Sequence, residues 1–386
     1  MRWRRLMAWA IASVVLGCTP APPSPAPSPS FTPPPAPADV IPWPDIVWSL
    51  VDGLTVGDPG FGEGAVAVAF GPQGFVTVGY RDGGETRDGL IWYSADGQTW
   101  SAVDAPAVLA GIELVDVTAT SFGFLALGLR SAGGPDDRTD TVFLRSTDGH
   151  EWVPVPEVPR VEDTYPTAVT AGSAGVVAVG SDGEGKTTVW RSDDGNVYER
   201  LVVQSEMSDA VSDPHAVERG FIALGSGNLP PVLLRSTDGR DWTETSIDAS
   251  ADVVASRLVP GRWGYVVQGV QTVGCVGDEP CDDRSIGWWS GDGTRWARLP
   301  EKDTPIGDGA SIVVPAGDHG LVALDGAGAW ESPDGWAWRP LPEPGDGSMA
   351  VADAVVAGDV IVAVGTVFGE DGIGRTAIDV ARPPAD

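Results

Sequence analysis

Ser146-Thr147-Asp148-Gly149-His150-Glu151-Trp152, STDGHEW, is one of six copies of a single pattern in this 386-residue chain. The others are SADGQTW (94–100), SDDGNVY (192–198), STDGRDW (236–242), SGDGTRW (290–296) and SPDGWAW (332–338). The copies recur at a mean spacing of roughly 48 residues between Asp96 and Asp334. Each residue of the pattern has physical work to do. Asp-Gly makes a tight hairpin turn in which Gly takes the positive φ. The Ser and Asp oxygens accept backbone N–H groups inside that turn. The aromatic residue opens the next strand and buries against a neighbouring sheet. The recurring Asp96, Asp148, Asp194, Asp238, Asp292 and Asp334 are therefore expected to be structural. So are Trp100, Trp152, Trp242, Trp296 and Trp338.

A second element precedes each turn: GFVTVGY from Gly74, GFLALGL from Gly123, GVVAVGS from Gly175, GFIALGS from Gly220, GYVVQGV from Gly264 and GLVALDG from Gly320. Short apolar runs bounded by Gly read as buried strands. Each repeat is then strand a, a turn, this strand b, a variable loop, strand c, the S-x-D-G turn and strand d. Residues 351–381 supply strands a, b and c and stop without a turn, whereas IVWSLVD (46–52) resembles an orphan strand d, with Trp48 in the place of Trp100. Joining the two ends completes a seventh unit. The expectation is an all-β, seven-bladed β-propeller of four-stranded antiparallel blades, monomeric and closed by its N-terminal strand.

The repeated turn resembles the Asp box (BNR repeat) of sialidase-like propellers, S-x-D-x-G-x-T-W. Here the residue between Asp and Gly is missing, and the Thr before the aromatic survives as Thr99. The resemblance implies a fold, with the Asp-box turns on the face opposite the functional loops. Sialidases of this kind hold the substrate carboxylate with an Arg cluster and use a Tyr–Glu nucleophile and an Asp acid. Residues 46–80 contain no Arg, and of the five Tyr, Tyr93 and Tyr198 belong to the repeated turns while Tyr80, Tyr165 and Tyr265 lie elsewhere. A sialidase activity is not expected from these residues.

The N-terminus carries an address. Arg2, Arg4 and Arg5 precede an apolar run, Leu6 to Leu16, too short to span a bilayer and suited to the core of a signal peptide. It ends in VLGC, which resembles the lipobox of bacterial lipoproteins and makes Cys18 the lipidated residue. Residues 19–44, TPAPPSPAPSPSFTPPPAPADVIPWP, are too rich in Pro for helix or sheet and read as a semi-extended tether. The expected organisation is a signal peptide (1–17), a lipid-anchored tether (18–45) and the propeller (46–386). The localisation is extracytoplasmic, on the bacterial membrane. Cys275 and Cys281, in CVGDEPC, are then expected to form a local disulfide.

The formal net charge of −30 repels nucleic acid and anionic lipid. The b–c loops are acidic, among them RDGGETRDG (81–89) and GEDGIGR (369–375). Long loops on a rigid scaffold are where binding usually lives. A set of acids near the starts of the inner strands, Glu63, Asp116, Asp213, Asp252, Asp308 and Asp353, with Thr167 in the third blade, is expected to ring the mouth of the central channel. Converging carboxylates raise one another's pKa or recruit a hard cation such as Ca²⁺. The three His (His150, His215, His319) have no ligand spacing, and no G-x-S-x-G elbow or P-loop occurs. No catalytic residue or cofactor is assigned. The function expected is a non-catalytic module binding a protein or glycan partner through its loops. A carboxylate-based glycoside hydrolase and a Ca²⁺-dependent binding module are the alternatives.

Overall fold

The computed structural model describes residues 39–384 except 52, 55, 57–60, 85, 132–138, 160–163, 183, 202–209, 227–229, 248–252, 274–281, 301–303, 307–311, 326 and 346–347. The leader, Cys18, most of the Pro-rich stretch, Cys275, Cys281, Asp252 and Asp308 thus lie outside the described residues. The described strands form seven four-stranded antiparallel sheets. One short helix, Pro106–Leu109, interrupts them.

Each sheet is one blade, and in blades 1 to 6 the strands run in chain order from the channel outward. Blade 1 is typical, with strands Glu63–Gly71, Gly74–Asp82, Arg87–Ser94 and Ser101–Ala102. Blade 7 takes three strands from the C-terminal part, Met349–Ala357, Val360–Phe368 and Gly374–Arg382, and its outermost from Val47–Leu50. Val47 pairs with Arg382 and Leu50 with Asp379, so the two ends of the propeller close on each other.

Strand b is apolar on both faces because each blade is sandwiched between two others. Val76, Val78, Phe124, Leu125, Leu127 and Val177 have essentially no exposed surface. The core is consequently divided into seven inter-blade clusters rather than one central mass. The closing cluster joins Val362, Val364, Ile378 and Val380 of blade 7 to Phe75 and Trp92 of blade 1. At about 25 cal/mol per Å² of buried apolar area, these interfaces are what holds the ring together.

The glycine before each strand b is required by close approach. At Gly74 φ is +123°, and a Cβ there would collide with the carbonyl oxygen of Ser94 on strand c. Gly123, Gly175, Gly220, Gly264 and Gly320 also have positive φ and meet the corresponding Ser carbonyl.

Within residues 39–45 one side chain, Trp43, is buried against the propeller, next to Ile46 at the start of the closing strand. Trp43 is 8% exposed and Ile46 4%. Pro-rich composition hid this short apolar anchor.

Candidate functional site

In an antiparallel four-stranded blade the a–b and c–d turns share one end and the b–c and d–a connections the other. We call these the lower and upper faces. The six S-x-D-G turns lie on the lower face and share one hydrogen-bond pattern. Ser Oγ accepts the Gly N–H at 2.8 Å in blades 1, 2, 4 and 6, 2.9 Å in blade 3 and 2.7 Å in blade 5. Asp Oδ1 accepts two further N–H groups, as Asp148 does from His150 (2.8 Å) and Glu151 (2.9 Å). Those N–H bonds hold Asp96, Asp148, Asp194, Asp238 and Asp292 below the usual carboxylate range. Trp100 and Trp152 donate their indole N–H to the turn's Gly carbonyl, and Tyr198 stacks on Phe143 instead. In these turns the Ser and Asp oxygens are occupied by backbone N–H groups of the turn itself.

The residue just before the Ser, which the sequence reading did not single out, binds blades together in blades 1 to 5, whereas Glu331 of blade 6 pairs with Arg339 of its own blade. Arg145 reaches Asn196, Arg191 reaches the Asp238 carbonyl and Arg235 the Asp292 carbonyl, each in the turn of the following blade. Trp289 donates to the Asp334 carbonyl, and Tyr93 packs on His150. The available signal was a large side chain, Tyr, Arg, Arg, Arg, Trp and Glu331, at that one position in all six copies.

The carboxylate ring is only partly as expected. Asp116 Oδ2 accepts the N–H of Val169 in the next blade (2.7 Å), and its Oδ1 accepts Val117 N–H (2.8 Å). Asp353 Oδ2 accepts Val68 N–H (3.0 Å), and Asp213 Oδ2 accepts Leu258 N–H. Two ladder positions further along, Thr170 Oγ1 accepts the Ala216 N–H of the next blade (2.9 Å). These side chains stitch consecutive inner strands across the blade gaps. A register shift in the inner strand sets this up, between Leu114 and Asp116 in blade 2 and between Val351 and Asp353 in blade 7. Asp213, in the wider shift of blade 4, is the one described non-Gly residue with positive φ, at 48°.

Glu63 does not belong to this set. The ladder position equivalent to Asp116 in blade 1 is Ala67, just after the shift between Ala65 and Ala67. Glu63 lies at the strand start, 3% exposed, where it accepts Val56 N–H and faces Arg81. Burial raises its pKa, against the Val56 bond and the Arg81 charge. Its part is to hold the crossover between the N-terminal strand and blade 1. Thr167 lies in the bulge of blade 3 and donates to the Val179 carbonyl at 3.2 Å. In blade 5 the equivalent position carries a base, Arg257, 4.0 Å from Asp353.

The channel therefore holds Asp116, Asp213 and Asp353 with Arg257 and His215. Burial, augmented by the Asp353 charge and opposed by the Val169 bond, pushes Asp116 up to about 7. Burial also raises Asp353, partly offset by Arg257. At Asp213 burial is outweighed by His215, 3.2 Å away, and by Arg257, so its pKa is lowered. The inner strands enclose these groups, yet the Asp213 and Asp353 side chains remain 24% exposed to the channel. Among the described residues no three His, Cys, Asp or Glu side chains converge closely enough to hold a metal ion.

On the upper face the described acidic loops are internally paired. Arg87 bridges Asp82 (2.9 Å) and Glu113, Arg81 faces Asp88 (3.7 Å), and Arg375 pairs with Asp371 (2.6 Å). Asp82, Thr86, Arg87, Gly111, Glu113 and Leu129 line a cleft of about 490 Å³ between blades 1 and 2. Arg87 also lies 4.2 Å over the Tyr80 ring.

No family model matches the chain, and no curated protein matches it either. Solved propellers do resemble it. The WD40 β-propeller domain of Doa1 is 15% identical, with 87% of this chain and 97% of that chain covered at a TM-score of 0.50. Trypanosoma rangeli sialidase is 14% identical over 87% of this chain and 59% of its own, at 0.48. The α-L-arabinofuranosidase Arb93A of Fusarium graminearum is 12% identical over 88% and 98%, at 0.45. At such identities the likeness shows the propeller fold and no more.

Proposed function

We propose that the chain is an extracytoplasmic, lipid-anchored Asp-box propeller that binds a partner without catalysis, and that its upper-face cleft takes a neutral glycan. The observation that supports this is the cleft between blades 1 and 2. Its charges are already paired, Arg87 with Asp82 and Glu113, so it offers fixed donors and acceptors to hydroxyl groups. The Tyr80 ring supports the Arg87 guanidinium from beneath. The excess of carboxylates disfavours an anionic sugar.

The test is calorimetric titration of residues 39–386 with neutral oligosaccharides, for the natural protein and Arg87→Ala. Arg87 is exposed, so the variant should melt normally and bind at least about tenfold more weakly. Equal binding by the variant would move the site elsewhere on the upper face and favour a protein partner.

A glycoside hydrolase is the second reading. Asp116, protonated near neutral pH, shares the channel with an ionised Asp213, the combination that acid–base hydrolysis uses. Against it, both oxygens of Asp116 already accept backbone N–H groups. Turnover of aryl glycosides that is abolished by Asp116→Asn would establish this reading in place of the first.

A further inference from the structure

We infer that residues 39–46 are a pH-sensitive strap on the lower face, latched by His319 while its ring carries both protons and loosened when the ring loses one.

The latch consists of two hydrogen bonds to one ring. His319 ends the 3₁₀ turn Gly317–His319, between strands a and b of blade 6, and is 6% exposed. Its backbone N–H donates to the Ala316 carbonyl (2.9 Å), which fixes where the ring stands. Ring Nδ1 lies 2.9 Å from the Ile41 carbonyl of the strap. Ring Nε2 lies 2.9 Å from Asp359 Oδ1, in the a–b turn of blade 7. A carbonyl oxygen only accepts, and so does an ionised carboxylate. Both ring nitrogens therefore donate, and only the imidazolium carries two N–H groups. A neutral ring satisfies one of these acceptors and turns a lone pair toward the other.

The surroundings suit a cation. Trp43 stacks on the ring at 4.3 Å between centroids and 24° between planes, so its π-face meets the imidazolium charge. The other charged groups nearby come from three elements. Asp318, on the histidine's own turn, and Asp39, at the start of the strap, both pair with Arg262 of blade 5, at 3.1 Å and 3.3 Å. Asp45, also on the strap, is exposed.

The strap thus has two pins of different kinds. Arg262 keeps its charge throughout the range in which histidine titrates, so the Asp39 pin is constant. Ile41 binds the blade 6 turn twice, through its N–H to the Asp318 carbonyl (2.9 Å) and through its carbonyl to His319. The second of these needs the imidazolium. Its contribution is complete in mildly acidic solution and is lost as pH rises through the histidine range. The closing strand Val47–Leu50 keeps its backbone ladder to Gly374–Arg382 throughout, so the strap loosens and the ring of blades stays closed.

Amide hydrogen exchange of the full-length protein, read by mass spectrometry, tests the latch. Labelling at about pH 5.5 and about pH 8.5, with times scaled to the intrinsic exchange rate, brackets the histidine range. Segment 39–46 reports on the strap, and strand Gly123–Ser131 of blade 2 is the control. Protection of the strap should fall at least about tenfold at the higher pH, the worth of one charge-assisted hydrogen bond, while the control holds. His319→Gln has no charged donor and should leave the strap weakly protected at both pH values. Asp359→Asn supplies an amide that donates to a neutral Nε2 or accepts from a protonated one, so the strap should stay protected at both. The Asp359 side chain is 56% exposed, so this second variant leaves the core intact. Equal protection of the natural strap at the two pH values, or a fall that survives in either variant, overturns the latch.

Discussion

Asp116→Ala tests whether the channel holds a charge that the fold strains to accommodate. The carboxyl has an ordinary pKa of 3.8 and one of about 7 in the folded chain. A raised carboxylate pKa means that the unfolded chain ionises first. The penalty is absent below about pH 4, grows as pH rises, and is fully developed above pH 7. For these two values it comes to about 1.7 kcal/mol at pH 5 and about 4.3 kcal/mol at pH 8. The difference, about 2.6 kcal/mol, applies to a dry interior. Access to the water of the channel and relief of the Asp353 charge reduce it to about 1–2 kcal/mol. Alanine also loses the bonds to Val117 and Val169, at about 1–3 kcal/mol each, but that loss is much the same at both pH values. Urea denaturation of both proteins at pH 5 and pH 8 isolates the charge. The variant's deficit should shrink by about 1–2 kcal/mol at pH 8. A deficit of equal size at both pH values, or one that grows at pH 8, would refute a buried, strained carboxyl.

Other outcomes follow from the same geometry. Ser146→Ala leaves the buried Gly149 N–H without its acceptor and should cost about 1–3 kcal/mol in urea denaturation, with similar losses for Ser236→Ala and Ser332→Ala. Trp43→Ala removes a side chain stacked on His319 and should lower the melting temperature, with a loss of about 3–5 kcal/mol. Melting in Ca²⁺ and in EDTA at fixed ionic strength should give the same temperature, because the Asp116, Asp213 and Asp353 carboxylates already accept backbone N–H groups. A rise of several degrees in Ca²⁺ would instead establish a cation site in the channel.

Much of this was legible from the turns. The Ser and Asp oxygens bond N–H groups within three residues of their own position, and Gly74 meets the Ser94 carbonyl of its own blade. Such interactions need no knowledge of the rest of the chain. The channel was harder to read. Glu63 was grouped with Asp116 because both stand near a strand start, but one extra residue at each bulge moves the bridging position to Ala67. The same slip hid Arg257, the base at the equivalent position of blade 5. Trp43 was hidden among prolines, since nothing local marks which residue of a Pro-rich segment will find a histidine nearly three hundred residues away.

The sequence by itself determined the blade count, the strand order within each blade and the closure by Val47–Leu50, because repeat period, turn chemistry and apolar runs are local properties. Only the tertiary structure decided which carboxyls face the channel, which residue before each Ser reaches the next blade, and where the N-terminal strap lies. Those contacts run between blades. They depend on the register of each inner strand and on the curvature that closes seven sheets into a ring, and neither is encoded within a single repeat.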